Sequence, residues 1–160
     1  KIVSEVLQYG VQTVEITGGE PLIQPNVHLL MTKLCDEGKR VLIETCGSRD
    51  ISVCDPRVIR IIDIKTPCSG ANDSFLESNF EDLKESDEIK FVIGNKEDYD
   101  WAKEKIYELN LNEICTILFS PVFNSIEPKK IIEWILTDNI PVRFQLQMHK
   151  IIWEPDKLGV

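Results

Sequence analysis

The residues Thr17-Gly18-Gly19-Glu20-Pro21 have the composition of a ligand-binding turn. The two glycines carry no Cβ atoms, so their backbone can approach a ligand closely, and a carboxylate and a proline follow them. Residues 13–17 predict a short strand that runs into this turn. The segment therefore indicates a strand that brings a carboxylate to a ligand, although an ordinary loop in which the glycines only make the bend fits the same residues.

Polar side chains also stand where later apolar runs end, namely Glu44, Asp63 with Lys65, and Ser120. A carboxylate at the end of a buried strand is costly to bury unless it is paired or hydrogen-bonded, so Glu44 favours a site over an exposed strand terminus. Asp63 and Lys65 are two residues apart on one strand and share a face, where a merely solvated ion pair would contribute little. Ser120 can supply a hydroxyl group to a ligand or can belong to a plain turn.

His149 follows the last predicted strand, beside Lys150 and close to Trp153. An imidazole there could hold a substrate carboxylate or move a proton. The other histidine, His28, stands at a helix start and is expected to be surface structure. Trp153 and Phe144 could stack on a heteroaromatic ring, but aromatic residues at such positions more often belong to a core.

Hydrophobic periodicity predicts strands alternating with helices, at a spacing of about 25 residues. We expect strands over 13–17, 40–45, 59–64, 89–93, 114–119 and 142–146, and helices over 1–9, from 26 to 38, near 80–85, after Asn95 and after Pro128. This repeat favours parallel strands joined by right-handed crossovers, in an open doubly wound sheet or a partial (β/α) barrel. Polar residues at successive carboxyl ends of the strands favour the barrel.

Length and charge limit the classes of protein. The 160 residues, 42% of them apolar, predict one domain over 1–160 with one core. The net charge is -9, and no cluster of lysine and arginine with interleaved aromatics occurs, which argues against nucleic acid or an anionic membrane as a partner. No apolar run approaches the roughly 20 residues that span a bilayer and no signal pattern opens the chain, so we expect a cytoplasmic protein.

The five cysteines are dispersed along the chain. They are not spaced like the ligands of a metal knuckle or an iron–sulfur loop, so we expect reduced thiols and no metal site among these residues. Cys35 and Cys115 are predicted to be small core residues. Lys1 is an unusual natural start, and the chain opens partway through an amphipathic pattern, so we expect further residues upstream.

The turn at 17–21 resembles the Gly-Gly-Glu-Pro motif of radical S-adenosylmethionine (SAM) enzymes. Further segments match in family order: Glu44-Thr45-Cys46-Gly47, Asp63-Ile64-Lys65-Thr66-Pro67-Cys68-Ser69-Gly70, Phe119-Ser120-Pro121-Val122 and Gln147-Met148-His149-Lys150-Ile151-Ile152-Trp153. This ordered set resembles the 7-carboxy-7-deazaguanine synthase family and covers essentially the whole chain.

The resemblance implies a modified partial (β/α)6 radical SAM barrel, here without its first strand and cluster loop. It implies a lyase of queuosine and deazapurine biosynthesis that converts 6-carboxy-5,6,7,8-tetrahydropterin to 7-carboxy-7-deazaguanine with loss of ammonia. The implied cofactors are SAM, a 4Fe-4S cluster and Mg²⁺, with a flavodoxin- or ferredoxin-type electron donor and a possible homodimer. The family's cysteine triplet and magnesium-binding hydroxyl do not occur in these residues, so we expect the cluster and Mg²⁺ ligands outside this chain and the chain as given to be inactive.

The resemblance also assigns roles to individual residues. The expected SAM contacts are Gly18, Gly19, Glu20, Asp63, Lys65 and Ser120, with the glycine backbone and Glu20 at the amino group of the methionine moiety; many relatives have serine at the position of Asp63. The expected pterin contacts are Thr17, Glu44, His149 and the C-terminal carboxylate of Val160, and Glu44 and His149 are the catalytic candidates.

Two other functions fit the sequence less well. Another radical SAM enzyme, such as an activase that makes a glycyl radical, shares the glycine motif but not the histidine-containing C-terminal segment. A non-catalytic pterin- or nucleotide-binding relic would share the pocket but lack a cysteine triplet upstream.

Overall fold

Six parallel strands form one sheet in the computed structural model, which describes residues 1–71, 74–155 and 157. The strands are β1 (Thr13–Ile16), β2 (Arg40–Thr45), β3 (Ile59–Ile64), β4 (Glu88–Ile93), β5 (Thr116–Pro121) and β6 (Arg143–Phe144). Each strand pairs with the one before it in sequence, in the order β1 to β6. A doubly wound sheet reverses its strand order at a switch point, and this sheet does not, so the predicted partial barrel is confirmed.

The helices are α1 (Ile2–Gln8), α2 (Val27–Asp36), α3 (Lys96–Glu108), α4 (Leu111–Ile114), α5 (Pro128–Asp138) and α6 (His149–Ile152). The predicted start of α3 is confirmed, because the Asn95 side chain accepts a hydrogen bond from the backbone N–H of Asp98 at 2.9 Å. Pro128 is the first residue of α5, in the turn where a missing N–H costs no helical hydrogen bond. None of the helices in the described ranges is long and apolar enough to cross a membrane.

Three predicted elements have different bounds. The helix expected near 80–85 is a short 3-10 turn at Glu77–Phe80. The strand expected from 114 begins at Thr116, because buried Leu111 anchors a helical turn through Ile114. The strand expected over 142–146 comprises only Arg143–Phe144, the two residues that pair with Leu118 and Phe119 of β5. Short apolar runs do not distinguish a strand from a buried helical turn, which explains why the helical turn at Leu111–Ile114 was not separated from β5.

Two crossovers contain no α-helix in their described residues, those from β2 to β3 and from β3 to β4. Buried Asn79 fastens these two loops together in place of a packed helix. Its side chain accepts a hydrogen bond from the backbone of Ile51 at 3.2 Å and donates to the carbonyls of Gly47 and Arg49 at 2.9 Å each. The predicted strand-then-helix repeat is therefore incomplete in the middle of the chain.

A buried ion pair lies at the amino ends of β3 and β4. The guanidinium of Arg60 donates to Asp87, and the two side chains are 6% and 0% exposed. The Arg60 guanidinium also donates to the carbonyls of Ile51 and Asp82. Removing one partner would leave an uncompensated buried charge, so this pair holds the two strands and their loops in register.

The two faces of the sheet differ in chemistry because alternate residues of a strand point to opposite faces. One face is apolar and packs under the helices, and its buried residues include Ile43, Ile62, Ile64, Ile89, Phe91, Ile93 and Phe119. Cys35 and Cys115 are buried in these clusters, as predicted. The other face carries Glu44, Asp63 and Lys90 among apolar side chains, and this is the face that can hold a polar ligand.

Candidate functional site

The carboxyl ends of parallel strands lie at one edge of a sheet. The glycine turn follows β1, Glu44 is next to last in β2, Lys65 follows β3, and His149 follows β6. The topology therefore places these four predicted site elements along one rim.

Gly18 and Gly19 form a turn with an open approach. Their φ angles are 100° and 54°, a backbone conformation that residues with a side chain rarely adopt. A Cβ atom added at either position would meet no atom within 4 Å. The glycines are therefore required by backbone conformation and leave their peptide groups accessible to a ligand.

Glu20 is held mainly by the chain itself. Its carboxylate accepts hydrogen bonds from the backbone N–H groups of Leu22 at 3.0 Å and Cys46 at 2.8 Å and from the Thr45 hydroxyl. Burial raises the pKa of Glu20, but the hydrogen bonds from Cys46, Leu22 and Thr45 outweigh it and hold that pKa below its usual value. A carboxylate offers about four lone-pair positions, so roughly one remains for a ligand donor.

Asp63 and Lys65 form an ion pair, with Lys65 Nζ 2.7 Å from Asp63 Oδ2. The other carboxylate oxygen, Asp63 Oδ1, is buried and has no hydrogen-bond partner among the described residues. The same holds for Oε1 of Gln147, whose side chain lines the same cavity of about 470 Å³. Buried polar atoms in native proteins are nearly always satisfied, so these two acceptors at one cavity need a hydrogen-bond donor from water or from a ligand.

Asp98 shapes the wall of this cavity. Its carboxylate accepts hydrogen bonds from the backbone N–H of Cys68 at 3.0 Å and of Gly94 at 2.9 Å. It thereby joins the loop after β3 to the end of β4. The sequence pattern indicated only its place in the first turn of α3, because the partners of its side chain lie in other elements.

Glu44 is fixed from two sides. The Thr17 hydroxyl donates to Glu44 Oε2 at 3.3 Å, and the Lys90 ammonium contacts Glu44 Oε1. Burial lowers the pKa of Lys90, and the nearby carboxylate of Glu15 acts in the opposite direction. Sequence reasoning missed Lys90. Its place between the apolar residues Ile89 and Phe91 of a strand was a signal for a polar group on the sheet face opposite to theirs.

The remaining predicted residues are placed less directly. Ser120 is next to last in β5 and pairs in register with Val92, but it is buried. His149 begins α6 and is exposed, and its imidazole makes no hydrogen bond within the described residues. Phe144 packs against the core, whereas Trp153 is exposed. Val160 lies outside the described residues.

No group of three or more histidine, cysteine, aspartate or glutamate side chains in residues 1–71, 74–155 and 157 could hold a metal ion. The cysteines in that part of the chain are free thiols. These residues therefore offer no group of cysteines that could hold an iron–sulfur cluster.

Curated relatives give the comparison in sequence. The chain is 44% identical over 163 residues to the 7-carboxy-7-deazaguanine synthase of Chlorobaculum tepidum, and the match covers 100% of this chain and 74% of that protein. It is 39% identical to the enzyme of the same name from Koribacter versatilis, over 92% of this chain and 71% of the relative. It is 37% identical to the 7-carboxy-7-deazaguanine synthase of Clostridium acetobutylicum, over 100% of this chain and 75% of that protein. No family model matches the chain.

Solved structures give the comparison in fold. QueE from Escherichia coli superposes with a TM-score of 0.72 at 24% identity, over 91% of this chain and 61% of that one. SuiB from Streptococcus suis, solved bound to S-adenosylmethionine, superposes with a TM-score of 0.63 at 16% identity, over 91% of this chain and 40% of that one. Both likenesses support the partial-barrel architecture.

Proposed function

The chain belongs to the 7-carboxy-7-deazaguanine synthase family, and on that ground we propose that it acts as a radical SAM lyase that converts 6-carboxy-5,6,7,8-tetrahydropterin to 7-carboxy-7-deazaguanine with loss of ammonia. The family hypothesis drawn from the sequence motifs is confirmed by these relatives. The observation that carries the proposal is the rim on which the glycine turn, Glu44 and the Asp63–Lys65 pair follow successive strands.

SAM is the cofactor whose polar groups match the residues at the carboxyl ends of β1 and β3 on this rim. The carbonyl groups of Gly18 and Gly19 and the remaining lone pair of Glu20 accept hydrogen bonds from the methionine ammonium. Lys65 gives one of its three N–H donors to Asp63 and has two for a ligand. Asp63 Oδ1 and Gln147 Oε1 are free to accept from hydroxyl or amino groups in the cavity. Ser120, next to last in β5, is the expected contact for the adenosine portion.

The pterin fits the face of Glu44. Its amino-pyrimidinone edge presents two adjacent N–H donors, which a carboxylate accepts side by side as it accepts an arginine. Thr17 holds that carboxylate from the β1 side, and His149, at the far end of the rim, is the group proposed for the pterin carboxylate or for proton movement.

When bound, SAM and a reduced 4Fe-4S cluster supply the radical that removes a hydrogen atom from the pterin. Because the described residues contain no group of cysteines for the cluster, the roles assigned to this chain's residues are binding, orientation and proton handling. Mg²⁺, a flavodoxin- or ferredoxin-type electron donor, a homodimer and a cytoplasmic location belong to the same proposal.

The test is a product assay under anaerobic conditions. The protein is expressed from its complete reading frame, reconstituted with iron and sulfide, and incubated with SAM, dithionite and 6-carboxy-5,6,7,8-tetrahydropterin. We expect 7-carboxy-7-deazaguanine by mass spectrometry and an equal amount of ammonia. SAM cleavage without either product would favour another radical SAM activity such as a glycyl-radical activase, and pterin binding without SAM cleavage would favour a non-catalytic binding protein.

A further inference from the structure

The sheet face that carries Glu44 and Asp63 also carries Lys90, whose side chain extends over the intervening strand to its ion-pair partner. Lys90 on β4 is the register partner of Asp63 on β3, and Glu44 on β2 is the register partner of Ile61. Two strand spacings separate β2 from β4, which is about 10 Å. An extended lysine and an extended glutamate together span that gap, and the Lys90 ammonium contacts Glu44 Oε1 over β3.

Lys90 reaches the more distant carboxylate although a nearer one is available. Asp63 lies beside Lys90 in register, but Lys65 already contacts Asp63 Oδ2 at 2.7 Å. The two lysines are thus divided between two carboxylates. Each carboxylate thus has its own cation partner.

The pairing leaves part of Glu44 available to a ligand. Lys90 occupies one lone pair on Oε1 and Thr17 one on Oε2, so about two of the four positions remain. The Lys90 side chain is 14% exposed and the Glu44 side chain 29%, so the lysine is the more buried partner of the pair. A carboxylate that is held by two contacts and keeps two acceptor positions is pre-organised to accept two donors at once.

We infer that Lys90 is a positioning residue that fixes the orientation of the Glu44 carboxylate for the donor edge of the pterin. This inference rests on the proposed function for the identity of the ligand. Lys90 affects ligand binding only through its contact with Glu44, so its contribution depends on Glu44 being present.

The first test needs no ligand. A crystal structure of K90M, in which methionine keeps most of the apolar stem, should show the Glu44 carboxylate turned away from its position and its contact with Thr17 lost. If Glu44 keeps the same rotamer and the same contact with Thr17, Lys90 does not position it and the inference is overturned, whatever the protein binds.

The second test is an anaerobic calorimetric titration with 6-carboxy-5,6,7,8-tetrahydropterin. We expect K90M and E44Q each to weaken pterin binding by about tenfold or more, and the double variant to bind no worse than E44Q. K103M is the matched control, because it removes an equivalent lysine from the Lys103–Asp138 pair between α3 and α5 and should bind as wild type does.

The outcomes separate the two proposals. Pterin affinity in K90M within twofold of wild type, or losses that multiply in the double variant, would overturn the role of Lys90. If K90M alone does not fold, the comparison of the double variant with E44Q decides the same question, because both lack the Glu44 charge. A wild-type protein that binds no pterin would overturn the proposed function, while the orientation of Glu44 in the K90M crystal would still decide the role of Lys90.

Discussion

The Thr45 hydroxyl lies 2.8 and 2.9 Å from the two carboxylate oxygens of Glu20, which joins the glycine turn after β1 to the end of β2. The backbone N–H of Cys46 adds a further bond at 2.8 Å. One carboxylate thus fixes the position of Gly18 and Gly19 relative to the neighbouring strand. The glutamate of the motif is therefore first a structural clamp, with limited capacity left for a ligand.

Replacing Glu20 with alanine should destabilise the fold by about 2 kcal/mol, because buried Thr45 and two backbone N–H groups lose their acceptor. Urea unfolding followed by circular dichroism measures this loss. E5A, on exposed α1, is the control and should cost under about 0.5 kcal/mol. Equal stability of E20A and wild type would show that the clamp does not exist in solution.

The contribution of Glu20 should also depend on pH. Folding lowers the pKa of Glu20, so near that pKa the unfolded state binds more protons than the folded state. Its stabilisation is therefore complete above the ordinary value of 4.5 and is lost as the pH falls through the folded-state value. The difference in unfolding free energy between wild type and E20Q should shrink as the pH falls below 4.5. A difference that grows with acidity would contradict the assignment.

Substitution of Gly18 by alanine should act in two separable ways. The φ of 100° imposes a strain of about 1–2 kcal/mol on any residue with a Cβ atom, and the added methyl group occupies the open space that we propose for SAM. G10A provides the control, since Gly10 also has a positive φ of 67° and open space but lies outside the rim. Both variants should lose stability, and only G18A should lose affinity for SAM in equilibrium dialysis. Equal SAM affinity in G18A and G10A would remove the glycine turn from the cofactor site.

Breaking the Arg60–Asp87 pair should be the most destabilising of these changes. D87A leaves a guanidinium that is 6% exposed without its carboxylate, and we expect a loss of about 3–5 kcal/mol in unfolding free energy. The comparison is D100A, which removes the exposed Lys96–Asp100 pair and should cost at most about 1 kcal/mol. A loss for D87A as small as that for D100A would show that the buried pair is not needed to hold β3 and β4.

Local sequence patterns were sufficient to predict the strands, the α3 cap and the rim. Val41 and Ile43 alternate with polar or half-buried neighbours, and Asn95 stands three residues before Asp98, so each signal lies within one element. The carboxyl ends of parallel strands share an edge by geometry, which placed Glu44 and Lys65 on one rim without coordinates.

Contacts between distant segments could not be predicted in this way. Lys90 pairs with Glu44 on β2, whereas its register neighbour Asp63 on β3 pairs with Lys65, and this arrangement involves three strands at once. Asn79 replaces a helix in packing the middle crossovers, which no periodicity indicates.

The central claim is that Glu44 and the Gly18–Gly19 turn hold a pterin and SAM side by side on this rim. A crystal structure of the protein, expressed from its complete reading frame and grown anaerobically with SAM and 6-carboxy-5,6,7,8-tetrahydropterin, tests it most directly. We predict that the amino-pyrimidinone edge of the pterin lies within hydrogen-bonding distance of the Glu44 carboxylate and that the methionine ammonium lies against the glycine turn. A pterin bound elsewhere, or SAM bound away from that turn, would contradict the account.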